Sequence, residues 1–431
     1  GAPARTPGQG TCRAGSGLRR RRDRRKPKLP AGSLLNHPHE FRGSRGVERE
    51  AGAGDIKKKA LTVEKLVFEV SLDWRAGMLR NQVSGWLFSR FTSMHKSRLK
   101  AISAVVWAFL SAARLGVSVL GRAVPGGTKP RHGIKRVDRL LSNGRWRPEE
   151  IAAVLAQEAS RYLGALVVSL DWVELRSGFR ALVASACTRR GRALPVAWKV
   201  VRPEKYTRSQ NAVEDEFVAA LAELLDVPRV CLVADRGFRR ATFLELLGRL
   251  GFGYVIRVCG KVHVEGRGHL GLLENCGLKE GGEADLGAVY YREDGLVQTR
   301  LVWRWTRAQD EPWLLATNLA AKSLKQLCAI YALRMEEEET FRDLKSHRFG
   351  FALRYVLCST VERYERMLAV WALGTWVLYA QGLAAVRAEQ HYGLSTATNK
   401  HIDLSLVRIG HLLLRLALGS PQALFRQLAS T

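Results

Sequence analysis

The stretch that decides the fold is LVVSLD at residues 166–171, a short apolar run that ends in an acid. A second run of the same kind, VCLVAD, occupies residues 230–235. Between them lie the β-rich runs 179–187 and 194–201 and an amphipathic pattern at 213–225 that predicts a helix. Strands that alternate with helices are typical of an α/β fold, so we expect a short meander followed by a parallel strand.

Each of the two apolar runs ends in an aspartate, Asp171 in the first and Asp235 in the second. A carboxylate at a buried strand end is costly unless it is paired or binds a metal. Ligands of open α/β sheets gather at the carboxyl ends of strands, so we expect the two aspartates to converge on one point. The alternative for each is a helix cap or a local salt bridge, which Asp235 could form with Arg236.

A long helix is predicted over residues 324–345, and it contains four consecutive glutamates at 336–339. At about 100° per residue, four side chains share an arc of about 60°: Tyr331, Arg334, Glu338 and Lys345. Only one of the four glutamates, Glu338, lies within this arc. Glu337 lies on a different face, so we expect its substitution by Gln to be tolerated far better than that of Glu338.

Three acids from two strands and a helix, Asp171, Asp235 and Glu338, could hold two Mg²⁺ ions, with Mn²⁺ as a substitute. Two such ions about 4 Å apart can promote displacement at a phosphodiester. Arg334 and Lys345 beside them would bind the anionic backbone of the same substrate. The pattern therefore predicts metal-dependent phosphoryl transfer on a nucleic acid.

The pattern Tyr-x2-Arg-x3-Glu-x6-Lys over residues 331–345 resembles the signature of DDE transposases of the bacterial insertion-sequence-four family. Further motifs of that family are matched by LDW at 170–172, DRGF at 235–238, LATN at 315–318 and FRDLKS at 341–346. The resemblance covers roughly residues 130–385. The family position before the catalytic glutamate is often apolar, whereas this chain has Glu337 there.

The resemblance implies a ribonuclease-H-like catalytic core over residues 164–350 with a β-rich insertion at about 260–312. It implies that Asp171, Asp235 and Glu338 are the catalytic metal ligands. Contacts with DNA phosphates near the transposon end would come from four residues of the predicted helix: Tyr331, Arg334, Arg342 and Lys345.

The implied activity is cut-and-paste transposition, in which strand nicking is followed by strand transfer from the freed 3′-hydroxyl. The implied partners are the terminal inverted repeats of the element, the target DNA and a second copy of the chain in a synaptic homodimer. Two alternatives stay open: a ribonuclease-H-like nuclease without strand transfer, and an inactive DNA-binding relic.

The formal net charge is +29, from 69 Lys and Arg against 40 Asp and Glu. Residues 1–60 hold 16 basic and 5 acidic residues, so the rest of the chain still carries +18. Such an excess favours a nucleic-acid partner over a merely solvated surface.

The composition divides the rest of the chain as follows. Residues 1–77 are expected to be a disordered basic tail, with two alternatives open: a segment that is not native to the working protein, or a nucleic-acid-binding arm. Residues 78–163 are expected to be a helical DNA-binding domain in which Lys129–His132 is a basic loop. Residues 351–431 are expected to be a C-terminal helical region.

Seven scattered cysteines without a CxxC pair argue against a disulfide framework and indicate a reducing compartment. No secretory signal is recognised, and the apolar stretch Met367 to Tyr379 is shorter than the roughly 20 residues of a membrane span. We therefore expect a cytoplasmic, nucleoid-associated protein with core helices and no membrane partner.

Overall fold

The computed structural model describes one long range with four gaps: residues 76–418 without 128, 203–208, 349 and 395–401. The chain divides into two units, and the first, Gly1–Ala53, lies outside the described residues. The basic tail predicted for residues 1–77 falls outside them too, except for its last two residues. Everything below concerns the second unit.

The region predicted as a helical domain contains five helices: α1 Ala76–Arg90, α2 Lys96–Ala112, α3 Val117–Ala123, α4 Pro130–Leu141 and α5 Pro148–Tyr162. Pro130 and Pro148 each stand in the first turn of a helix, where the missing N–H is not needed. The prediction of a loop over Lys129–His132 is wrong, because helix α4 already begins at Pro130.

Ten strands form one sheet in the order β3-β2-β1-β4-β5-β10-β9-β8-β6-β7. The first five are β1 Leu166–Glu174, β2 Arg180–Cys187, β3 Ala193–Val201, β4 Val230–Ala234 and β5 Gly253–Arg257. The others are β6 His263–Gly266, β7 His269–Leu272, β8 Glu283–Arg292, β9 Leu296–Arg304 and β10 Trp313–Thr317.

The pairing follows the meander that the sequence predicts. Strands β1, β2 and β3 are antiparallel neighbours, and β4 and β5 then add parallel to β1. The predicted β-rich insertion is not a separate sheet, because β9 pairs with β10 and β8 pairs with β9, so the insertion extends the same sheet. The result is a mixed α/β fold around one large sheet.

Six further helices complete the described chain: α6 Gln210–Leu224, α7 Ala241–Arg249, α8 Leu324–Ala332, α9 Met335–Lys345, α10 Val361–Arg387 and α11 Leu406–Ala417. Side chains alternate across the sheet, so its two faces have separate cores. Val167 on β1 packs in a small core with Leu327 and Tyr331 of α8, whereas Val168 belongs to the larger core on the other face.

The stretch from Met367 to Tyr379 of helix α10 is buried throughout. By length and composition α10 could cross a membrane, and the α2–α3 pair, bent by 97°, passes the same test if taken as one span. In α10, 89% of the apolar stretch of 18 residues is buried inside the protein, as expected of a core helix.

Candidate active site

Asp171 lies inside strand β1 rather than at its end, because β1 continues to Glu174 along β2. The pairing of β1 with β4, however, stops at the step where Leu170 meets Ala234. From Asp171 onward the β4 side of β1 is therefore open. The Asp171 carboxylate accepts a hydrogen bond from the backbone N–H of Trp172 at 2.7 Å and is 22% exposed.

Asp235 follows Ala234, the last residue of β4, just as Asp171 follows Leu170 on β1. Leu170 and Ala234 are register partners. It caps the turn Arg236–Phe238, since its Oδ1 accepts a hydrogen bond from the Gly237 N–H at 2.8 Å. The capping alternative raised for Asp235 is thus realised with one carboxylate oxygen. The two aspartates stand side by side on adjacent parallel strands.

The predicted long helix over 324–345 is divided into α8 and α9 at Leu333 and Arg334. Both residues keep right-handed helical angles, but the backbone bonds there join residues three apart. The Arg334 N–H reaches the Tyr331 carbonyl at 3.0 Å, and the Glu337 N–H reaches the Arg334 carbonyl at 3.0 Å. Such tightening is typical of 3₁₀ geometry, and it leaves Arg334 and Glu338 facing each other.

Arg334 joins two of the three acids. One guanidinium nitrogen lies 3.4 Å from Oδ2 of Asp171, and another pairs with the carboxylate of Glu338. Burial, followed by the negative charge of Asp235, raises the pKa of Asp171 to about 6, with Arg334 acting in the opposite direction. The charge of Glu338 also raises the pKa of Asp171. The structure therefore places Asp171 at the centre of an electrostatic cluster, in which Arg334 joins it to Glu338 and the charge of Asp235 acts on it.

The remaining predicted DNA contacts have different surroundings. Tyr331 is only 4% exposed and packs edge-on against Trp313 at 5.0 Å, with Arg334 over its ring at 5.9 Å. Arg342 is exposed and pairs with Glu339 at 2.7 Å. The partly buried Lys345 holds its ammonium 5.9 Å from the Phe341 ring. In this arrangement Tyr331 supports Arg334 from the core, while Arg342 and Lys345 lie nearer the surface.

The other three glutamates of the run are not a solvated face. Glu336 accepts backbone hydrogen bonds from Thr188 at 2.7 Å, from Arg189 at 3.1 Å and from Gly191 at 2.8 Å. It therefore holds the turn between β2 and β3. Glu339, partly exposed, lies 3.5 Å from Arg192 and also pairs with Arg342.

Glu337 is fully buried beneath the cluster. Burial raises its pKa well above the usual value, the charge of Asp171 raises it further, and the hydroxyls of Ser169 and Ser185 act in the opposite direction. Ser169 and Ser185 are register partners on β1 and β2. The glutamate that departs from the family pattern thus occupies a polar position in the protein interior.

The buried carboxylate of Glu214, which was not predicted from the sequence, connects the segments that carry Asp171 and Asp235. Glu214 of α6 is 1% exposed and accepts a hydrogen bond from Trp172 Nε1 at 2.9 Å. Its second oxygen pairs with Arg240 at 3.3 Å, and Gln210 donates to the first at 2.8 Å. Trp172 follows Asp171, and Arg240 ends the loop that starts at Asp235. The signal was weak, because an acid inside an amphipathic helix normally faces water.

The donor set of the cluster suits a hard divalent cation, because all three groups are carboxylates. Asp171 and Asp235 lie side by side, but Arg334 stands between Asp171 and Glu338. Within residues 76–418, gaps excepted, no group of three His, Cys, Asp or Glu side chains is close enough to hold a metal. The two aspartates follow register partners on adjacent strands, and one oxygen of Asp235 already caps the turn after β4, while Glu338 is paired with Arg334.

No protein-family model and no curated protein sequence matches the chain. Among solved structures, the chain is similar to the piggyBac transposase in a synaptic complex with hairpin DNA. The two are 11% identical with a TM-score of 0.41, and the match covers 86% of this chain and 81% of the other. At that score the likeness carries no argument about function, which therefore depends on the residues of the site.

Proposed function

We propose that this chain is a DNA transposase of the insertion-sequence-four type that cuts and rejoins strands by two-metal phosphoryl transfer. The observation that carries the proposal is the cluster at the open edge between β1 and β4. There Asp171 and Glu338 share Arg334, and the charge of Asp235 acts on Asp171. The strand order β3-β2-β1-β4-β5, with a meander followed by parallel strands, supports the ribonuclease-H-like core that the resemblance implies.

In this proposal Asp171, Asp235 and Glu338 hold the divalent cations, which when bound would lower the barrier to displacement at a phosphodiester. Arg334 has two roles. Without cations it neutralises the acids, and with DNA present it can turn from Glu338 to a phosphate, which a guanidinium binds in bidentate fashion. Lys345, seven residues after Glu338 on the same face, would contact the backbone of the same strand.

The experiment measures Mg²⁺-dependent cleavage and joining of DNA that carries the inverted repeats flanking the coding region. Asp171→Asn and Glu338→Gln should each lower the cleavage rate at least about 10³-fold, equivalent to about 4 kcal/mol. Both should leave DNA binding in place. Glu339→Gln is the matched control, because it removes an acid from the same helix outside the cluster.

Persistent cleavage by either site variant would overturn the assignment of the acids. Cleavage by the unaltered chain without joining would instead assign it as a nuclease without strand transfer. Binding of the same DNA with neither reaction would favour an inactive relic.

A further inference from the structure

Helix α4 has an unusually basic exposed face. At about 100° per residue, five of its twelve residues fall within an arc of about 140°: Arg131, His132, Lys135, Arg136 and Arg139. All five are exposed, while the opposite side of the helix is buried through Gly133, Val137, Leu140 and Leu141. The helix is therefore strongly divided into a packed side and a cationic side.

The cations on this face have no carboxylate partner among the described residues. The only acid of α4 is Asp138, and its Oδ1 lies 2.7 Å from Arg363 of α10. Of the described ion pairs, none includes Arg131, Lys135, Arg136 or Arg139. Because surface cations are usually compensated by nearby acids, a row left uncompensated on a rigid helix favours binding of an external polyanion.

The helix is held rigidly from behind. Its backbone touches that of α3, since a Cβ on Gly133 would lie 2.0 Å from the Gly121 carbonyl oxygen. From α10, the buried Arg366 donates to the Leu141 carbonyl at 2.9 Å and to the Trp146 carbonyl at 3.0 Å. A short helix packed against a longer, outward-facing one that follows it is also found in helix-turn-helix proteins; here the connection, residues 124–129, is longer.

Further cations flank α4. Arg98 of α2 donates to the Arg145 carbonyl in the loop after α4, which places the start of α2 beside that loop. Lys96, Lys100 and Arg145 are exposed. The basic surface thus continues beyond the C-terminal end of the helix, where these cations could contact further phosphates.

We propose that α4 enters the major groove of double-stranded DNA, with Lys135, Arg136 and Arg139 contacting the duplex. Single-strand binders stack bases on exposed aromatic side chains. Among the described residues from 96 to 147 no large hydrophobic side chain is exposed, and Trp146 is fully buried. A single basic helix also fits the major groove of B-DNA, whereas the deep, narrow major groove of duplex RNA does not admit it. The inference rests on the proposed function for the choice of DNA as the polyanion.

The experiment measures the affinity of the full chain for a labelled 30-base-pair DNA duplex by fluorescence anisotropy at several salt concentrations. The variant Lys135→Gln/Arg136→Gln/Arg139→Gln should lose at least about tenfold in affinity. Its slope of log K against log salt should fall by about 2 to 3, since each phosphate contact contributes about 0.9. The matched control is Lys261→Gln/Lys279→Gln/Arg307→Gln, which removes three exposed cations from the β6–β10 region.

A charge-conserving variant, Lys135→Arg/Arg136→Lys/Arg139→Lys, should keep the salt slope, and circular dichroism checks that all variants are folded. Equal losses in the α4 variant and the control would overturn the inference, because net charge alone would then explain binding. Tighter binding of the single strand or of duplex RNA would assign another partner and overturn it as well. Absence of cleavage by the unaltered chain would overturn the proposed function without touching the duplex-binding result.

Discussion

Two faces of helix α9 carry the same residue type in opposite environments. The anchoring face, formed by Glu336, Thr340 and Asp343, binds the turn between β2 and β3 through backbone groups and Arg192. The site face, formed by Glu338 and Lys345, leaves the Glu338 side chain 39% exposed with Arg334 as its partner. A carboxylate that already accepts three backbone hydrogen bonds has little capacity left for a ligand. The comparison indicates that Glu338, which has one ion-pair partner and an exposed side chain, is better able to bind a ligand than Glu336.

The largest expected contrast in stability is between Glu336 and Glu338. Glu336→Ala leaves the N–H groups of Thr188, Arg189 and Gly191 without their acceptor, so the free energy of unfolding should fall by about 3 kcal/mol. Glu338→Ala removes one partly exposed ion pair and should cost less than about 1 kcal/mol. Urea unfolding of both variants measures the contrast. Similar losses of unfolding free energy in Glu336→Ala and Glu338→Ala would contradict the distinction between the anchoring face and the site face.

A smaller loss of stability is expected at Glu214, whose carboxylate, like that of Glu336, is buried and has several partners. Glu214→Ala leaves Trp172 Nε1 without its acceptor and should lower the free energy of unfolding by about 2 kcal/mol. Asp215→Ala is the control, because Asp215 is 40% exposed yet binds the same Arg240 at 2.7 Å. If the aspartates depend on this bridge, Glu214→Ala should also lower the cleavage rate constant, whereas Asp215→Ala should not.

A third expected effect, at Glu337, concerns the dependence of stability on pH. Because its pKa is raised in the folded state, the folded chain keeps a proton that the unfolded chain loses above about pH 4.3. Its contribution to stability is therefore full below that pH and declines as pH rises. Gln has the shape of the neutral acid, so Glu337→Gln should unfold like the unaltered chain at pH 4 and be relatively more stable at pH 8. A constant difference across this range would contradict a buried neutral carboxyl.

Much of the sheet could be predicted from periodicity alone. Apolar and β-rich runs located β1 to β4 and predicted the change from meander to parallel pairing, because alternation and strand length are local properties. The insertion was recognised as β-rich but not as part of the same sheet. Which strand edge receives a distant hairpin depends on long-range pairing, which no local pattern records.

The candidate site divides in the same way. The spacing of Arg334 and Glu338 predicted that they share one helix face, and the structure adds that they pair with each other there, although the helix is tightened at Leu333. The burial of Glu337 and the bridge through Glu214 were not predicted. Both depend on which side of the helix meets the sheet, and for Glu214 on a second helix packed against the strand that carries Trp172.

The amino-acid sequence by itself determined the order of the elements and the positions of Asp171, Asp235 and Glu338 along them. These follow from residue spacing, since the periods of strands and helices are set by backbone geometry. Only the tertiary structure decided what each glutamate of the run does. Four identical side chains separate into an anchor, a buried acid, a site residue and a surface ion pair, because their roles depend on which groups the fold brings against them.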